Sequence, residues 1–150
     1  QTVRQLEYKS NTQQTASFAA LKGNLAWPVK GKLRNYFGKT ILQSQLHQTG
    51  VIIATRTGQP IKAIAKGKII FAKWLFGYGQ LLIISHGSGY MTLYGHIQTI
   101  IKKIGDVVQP GDIIATTGNT GGNIKPGLYF AIRHESKALN PMKWCAKRIS

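Results

Sequence analysis

Gly127-Leu-Tyr-Phe-Ala-Ile-Arg133 reads as one β-strand, and the rest of the chain is best understood from it. Successive side chains on a strand alternate between faces, so Leu128, Phe130 and Ile132 share one face and Gly127, Tyr129, Ala131 and Arg133 the other. The first set is a core face. The second holds no carboxylate, thiol or imidazole, yet mixes a glycine, a tyrosine and an arginine. A face of that kind is expected either to meet solvent or to line a groove.

Working outward, glycines punctuate short runs rich in Ile, Val, Leu and Tyr, which is the pattern of regularly spaced strands joined by turns. Residues 50–54, 61–65, 68–74, 80–86, 90–96 and 113–117 each read as a strand. The segment from Ile97 to Ile104 fits either a short helix or an extended edge. Asp106 and Asp112 each follow a glycine and are expected to shape turns. His86 precedes Gly-Ser-Gly and reads as a turn residue. The expected fold is therefore all-β and mainly antiparallel, a sandwich or barrel-like sheet. Residues 1–22 read as a linker or the end of an upstream helix. Residues 23–150 read as one domain, anchored at its start by Trp27-Pro28-Val29, where the proline excludes a helix interior.

The chain has 150 residues, enough for one domain with a real core, and no apolar run long enough to span a bilayer. It does not begin with Met and opens on no signal-like segment, so a piece of a longer protein is expected. Twenty basic residues stand against four acidic ones, a formal charge of +16, which favours anionic partners. The bases are spread along the chain. No zinc-finger spacing, RNA-reading aromatic motif or basic recognition helix accompanies them, so no specific nucleic-acid partner is expected. Cys145 is the single cysteine, which excludes an internal disulfide and reads as a small buried hydrophobe.

Catalytic chemistry finds little support. Paired carboxylates are absent, no nucleophile elbow occurs, and Gly118-Asn-Thr-Gly-Gly122 lacks the Lys-Ser/Thr of a phosphate loop. The four histidines, His47, His86, His96 and His134, show no close ligand spacing. His134 follows Arg133 at a strand end and is expected to be exposed. His96 lies in the run Tyr90, Thr92, Tyr94, His96, taken as one strand face. Both a structural and a ligand role are open to it.

Several segments, in order, resemble the LytM or lysostaphin-type zinc metallopeptidase domain, from about Gly23 to about Trp144. Gly50-Val-Ile-Ile-Ala-Thr-Arg-Thr-Gly-Gln-Pro60 resembles the family's His-x-Gly-x-Asp segment and the turn after it. Lys62-Ala-Ile-Ala-Lys-Gly-Lys-Ile, Gly77-Tyr-Gly-Gln and Leu93-Tyr-Gly-His96 resemble its middle strands. Gly105-Asp-Val-Val-Gln-Pro-Gly-Asp-Ile-Ile-Ala-Thr-Thr-Gly118 is a long match, and 127–133 with Asn140-Pro141 resembles the His-x-His strand and its tail. The resemblance implies a sheet with a central groove. It also implies that Gln48, Ile52 and Tyr129 stand at the three zinc-ligand positions and Gly127 at a catalytic histidine, with His96 alone retained. No zinc or other cofactor is then expected, and no catalysis. His47, one residue from the first ligand position, would point to the opposite strand face.

Leu21-Lys-Gly, Trp27-Pro-Val, Trp74-Leu-Phe-Gly-Tyr-Gly, Leu128-Tyr-Phe-x-Ile-Arg and Asn140-Pro-x-x-Trp144 are similar to murein hydrolase activators of the EnvC type. That resemblance implies a periplasmic, non-catalytic domain below an upstream coiled coil, with the absent upstream region meeting a membrane division complex. Its groove would bind and activate an N-acetylmuramoyl-L-alanine amidase, so that septal peptidoglycan is split and daughter cells separate. Peptidoglycan is a further partner to consider. Tyr78, Tyr94, Tyr129 and Arg133 are the expected contacts, with His96, Gln48, Ile52 and Gly127 in the groove and Arg34 and Lys125 on a polar rim. Tyrosine and arginine combine contact area with hydrogen bonds and are common interface anchors. The alternatives are a zinc murein endopeptidase with a non-standard ligand set using His47 and His96, and a polyanion- or cell-wall-binding module.

Overall fold

The computed structural model describes residues 18–35, 49–121 and 125–146. Eleven strands are found among them: β1 (Lys32–Asn35), β2 (Val51–Ala54), β3 (Pro60–Lys62), β4 (Gly67–Leu75), β5 (Gly79–Gly87), β6 (Tyr90–Gly95), β7 (Ile97–Ile100), β8 (Val107–Val108), β9 (Ile113–Thr117), β10 (Gly127–His134) and β11 (Lys137–Leu139). Among the described residues helix is limited to one 3-10 turn, Ala19–Leu21, and α1 (Pro141–Trp144), which Asn140 caps through its side chain on the Met142 amide. The expected all-β, antiparallel class is the observed one.

The strands form two sheets. The larger runs β1-β2-β10-β6-β5-β4-β8, with β11 added on β10, and the smaller runs β3-β9-β7. All named pairings are antiparallel. Strand β10 lies between β2 and β6, so the opening stretch of sequence is a central strand.

The larger sheet is buried on both faces. Leu128, Phe130 and Ile132 of β10 join Leu82, Ile84 and Tyr94 in one cluster, together with Ile61, Ile97 and Ile114 of the smaller sheet. Tyr129 and Ala131 join Leu81, Ile83, Met91 and Leu93 in a second cluster. Consecutive apolar residues in β5, Leu81 to Ile84, divide between the two by strand alternation. The solvent-or-groove expectation for the second face of β10 therefore changes: Ala131 is buried and Tyr129 is only 7% exposed.

Both chain ends of the described unit close over the first cluster. Phe18, 3% exposed, stacks on His86 and Trp144 and touches Tyr90. Leu25 bridges to Cys145, and Trp27 donates its indole N–H to the Ala146 carbonyl at 2.7 Å. Buried contacts thus begin at least at Phe18, upstream of Gly23. Cys145 is buried, and burial pushes its thiol up to about 12.

Two local expectations are corrected. His86 is no turn residue; it is a fully buried member of β5, and the turn follows it at Ser88 and Gly89. His134 is half-buried, stacked on Tyr90 at 4.0 Å and donating from Nε2 to the Ser88 carbonyl. Asp106 and Asp112 do shape turns, accepting from the Lys103 and Gln109 amides at 2.9 and 2.8 Å. Residues 97–100 are extended, as β7.

Candidate functional site

At one end of β10 three strands bring the singled-out residues together. Ile52 of β2 faces Tyr129 across the β2–β10 pairing, and Gly95 of β6 faces Tyr129 from the other side. Tyr129 is the centre of the arrangement. Its hydroxyl shares a 2.8 Å hydrogen bond with Thr49, Tyr78 meets its ring edge-on at 5.3 Å, and His96 does so at 6.4 Å. Burial holds its phenol well above the usual tyrosine range; the neighbouring Tyr78 adds to the shift, while Thr49 and the Arg133 charge oppose it.

Glycines make room for this ring. A Cβ on Gly50 would stand 3.0 Å from Tyr129 Cε1 and 2.5 Å from the Phe130 carbonyl oxygen. A Cβ on Gly95 would stand 3.2 Å from Tyr129 Cδ2. Gly127 serves Arg34 instead: a Cβ there would meet Arg34 Nη2 at 3.0 Å, the Ile53 carbonyl at 3.0 Å and Ile52 Cγ2 at 3.3 Å. Arg34 lies across the start of β10, donating from Nη1 to the Pro126 carbonyl at 3.1 Å and from Nη2 to that of Lys125 at 3.3 Å.

His96 directly follows β6 with a left-handed backbone, φ 59°. A strand would carry its side chain to the same face as Tyr94, but the change of backbone conformation interrupts that alternation. Its Nδ1–H donates to the Thr120 carbonyl at 2.6 Å, so the neutral ring presents Nε2 as an acceptor. Burial lowers its pKa, the Thr120 bond opposes this, and the Arg34 charge lowers it further.

Tyr78, His96, Ile52, Tyr129, Gly127 and Arg34 are thus brought together. Lys125 adjoins them through its carbonyl, its side chain being exposed. Arg133 lies four residues along β10 on the Tyr129 face, half-buried, with Nη2 donating to the Ser136 carbonyl. Tyr94 is not part of this surface. It is fully buried on the opposite face, against Phe130, with its hydroxyl bonded to Thr92. Gln48 and His47 lie outside the described residues. Thr49, Thr120 and Gly95 complete the site without having been singled out. Thr120 sits in the Gly/Asn-rich loop, whose composition signals a turn but no partner.

Zinc in a site of this fold needs converging nitrogen, sulfur or carboxylate donors. The described residues offer an alkyl group at Ile52, a bare α-carbon at Gly127, a raised-pKa phenol already bonded to Thr49, and one free imidazole nitrogen on His96. Among the described residues no three His, Cys, Asp or Glu side chains gather. This set does not fit the metal.

Residues 46–141 match the sequence profile of Peptidase family M23. The chain is 39% identical over 139 residues to the murein hydrolase activator EnvC of Escherichia coli (strain K12), covering 93% of this chain and 33% of that protein. It is 35% identical over 140 residues to the murein hydrolase activator NlpD of Salmonella typhimurium, covering 93% of this chain and 35% of that protein. The chain thus spans about a third of the length of these curated relatives. Among solved structures it is similar to a zinc containing peptidase from Vibrio cholerae, with 26% identity, a TM-score of 0.76 and coverage of 83% of this chain and 41% of that one. It is also similar to the catalytic domain of lysostaphin from Staphylococcus simulans, with 31% identity, a TM-score of 0.69 and coverage of 75% and 90%.

Proposed function

The chain belongs to peptidase family M23, and we propose that this member has exchanged zinc chemistry for protein docking. In this reading it is a non-catalytic activator that binds a periplasmic N-acetylmuramoyl-L-alanine amidase through its former active-site groove. The amidase then splits septal peptidoglycan and the daughter cells separate. One observation carries the reading: Ile52 and Tyr129, at two positions that the resemblance assigns to metal ligands, share a buried apolar cluster, and Arg34 Nη2 lies 3.0 Å from where a Cβ on Gly127 would stand. The relatives named as murein hydrolase activators support the peptidoglycan-related half of the proposal.

The exposed parts of the groove suit a protein partner. Tyr78 is half-exposed beside Tyr129, and Arg34 and Arg133 are half-buried cations of the kind that pair bidentately with a carboxylate. The test is amidase activity on purified peptidoglycan with the wild-type chain, Tyr78→Ala and Arg133→Ala, each checked by thermal melting. Stimulation should fall at least tenfold in both variants while the folded fraction is kept. Undiminished stimulation by both overturns the groove assignment. The similarity to a zinc containing peptidase keeps one second reading in view. Zinc-dependent turnover of a cross-linked peptide by the purified chain would establish it instead.

A further inference from the structure

The hairpin joining β4 to β5 carries an aromatic tip that neither the core nor the groove uses. The pairing of Leu75 with Gly79 and the Tyr78 amide bonded to the Leu75 carbonyl at 3.0 Å close it into a tight turn. Trp74 is 57% exposed and Phe76 is 94% exposed. Phe76 at this exposure touches almost nothing in its own chain. Lys73 precedes the pair and is exposed, with its ammonium 5.8 Å from the Phe71 ring. Single exposed apolar residues are ordinary, but two large aromatics at the apex of a projecting turn are not.

We propose that this tip is a membrane-surface anchor: Trp74 and Phe76 insert to the boundary of headgroups and acyl chains in an anionic lipid bilayer, and Lys73 beside them pairs with a lipid phosphate. The shape of the tip and the distribution of charge favour lipid over a folded partner. A Cβ on Gly77 at the apex would meet nothing within 4 Å. The positive charge, +16 from 20 bases and four acids, is spread along the sequence. Two of the acids, Asp106 and Asp112, are held by backbone amides in turns. Diffuse cationic charge attracts an anionic surface without requiring register, and aromatic side chains at a projecting edge are stable at the bilayer interface. The tip lies beside the groove, since Tyr78 belongs to the same turn, so lipid attachment would orient the groove relative to the membrane.

The test uses the 150-residue chain with vesicles of phosphatidylglycerol and phosphatidylcholine, and with phosphatidylcholine alone, at about 0.1 M salt. Sedimentation should show binding to the anionic vesicles. Trp74→Ser/Phe76→Ser should lower the partition coefficient by roughly tenfold or more, with an unchanged melting temperature, because two interfacial aromatics are lost. Trp emission should shift to the blue on binding and be quenched by lipids brominated in their acyl chains, and Trp74→Phe should remove that quenching while leaving binding in place. Failure to bind anionic vesicles overturns the proposal. So does equal binding by the double variant, or binding without quenching, which would be ionic attachment alone. A double variant that binds vesicles normally but no longer stimulates an amidase overturns it in favour of a protein-docking tip.

Discussion

Acid should weaken this fold through His86, and the amount follows from its surroundings. The imidazole is fully buried in β5, stacked on Phe18 at 4.5 Å. Its Nδ1 is 2.8 Å from the Lys66 carbonyl, which only accepts, so Nδ1 carries the proton and Nε2 receives the Thr92 hydroxyl at 2.8 Å. Thr92 in turn accepts from the Tyr94 hydroxyl at 2.8 Å, and the Ile64 backbone bonds to Tyr94. The chain of bonds has one direction, and a second proton on His86 would oppose the Thr92 hydroxyl with a donor.

Burial holds His86 down at about 4, against 6.5 for the free side chain, with the Lys66 bond acting the other way. The unfolded chain therefore takes up a proton near pH 6.5 that the folded chain refuses until about pH 4. Unfolding gains a proton in that window, so stability falls as pH falls through it and is constant above it with respect to this group. The loss is about 2 kcal/mol by pH 5 and about 3 kcal/mol by pH 4, taking ~1.4 kcal/mol per pH unit of separation. Urea unfolding at a series of pH values from 7.5 to 4, on wild type and His86→Gln, reads the slope directly. The variant should start less stable, having lost the Phe18 stack, but with a flatter pH dependence. His96 titrates in the same direction, so the comparison is repeated in a His96→Gln background. Equal slopes with and without His86 would refute the reasoning.

Two further outcomes follow from the site. Tyr129→Ala should cost roughly 3–5 kcal/mol, because the ring is almost wholly buried between Gly50 and Gly95, whereas Tyr129→Phe should cost only about 1 kcal/mol for the Thr49 bond. Denaturant melts distinguish them, and Tyr129→Phe is consequently the informative variant for amidase stimulation. Ile52→Asp should destabilise by roughly 3 kcal/mol or more, since it puts a carboxylate into an apolar cluster, and added zinc should not restore the loss. Melting with and without zinc checks both parts.

The strand pattern was legible because glycine and turn residues bracket β-branched runs, and seven of the strands lie close to the runs read from sequence. Strands β1, β8 and β11 were not, being short and set by pairing with long neighbours rather than by their own composition. Burial on both faces was present in the sequence as the unbroken apolar run Leu81-Leu82-Ile83-Ile84, which strict alternation does not describe. Tyr94 was assigned to the groove by carrying the period of two through His96. The left-handed backbone at His96 ends that period, so His96 reaches Tyr129 while Tyr94 stays in the core. His86 read as a turn residue because Gly-Ser-Gly follows it; only the register with β6 shows that it lies inside the strand. The site glycines were visible, but their use was not, since what fills the space beside a glycine depends on strands distant in sequence.

The fit around Tyr129 also bears on how readily this site could take on metal donors. The residues of the site depend on one another. Gly127 leaves the space that Arg34 occupies, and Arg34 holds the Lys125 and Pro126 carbonyls at the start of β10. Ile52 packs in the same cluster as the phenol ring of Tyr129, whose hydroxyl is bonded to Thr49. A histidine at 127 would displace the guanidinium and leave two carbonyls to find other donors; a carboxylate at 52 would lose the packing that now surrounds Tyr129. Introducing donors one at a time would therefore disturb contacts on which the neighbouring residues depend, as the docking surface proposed above requires.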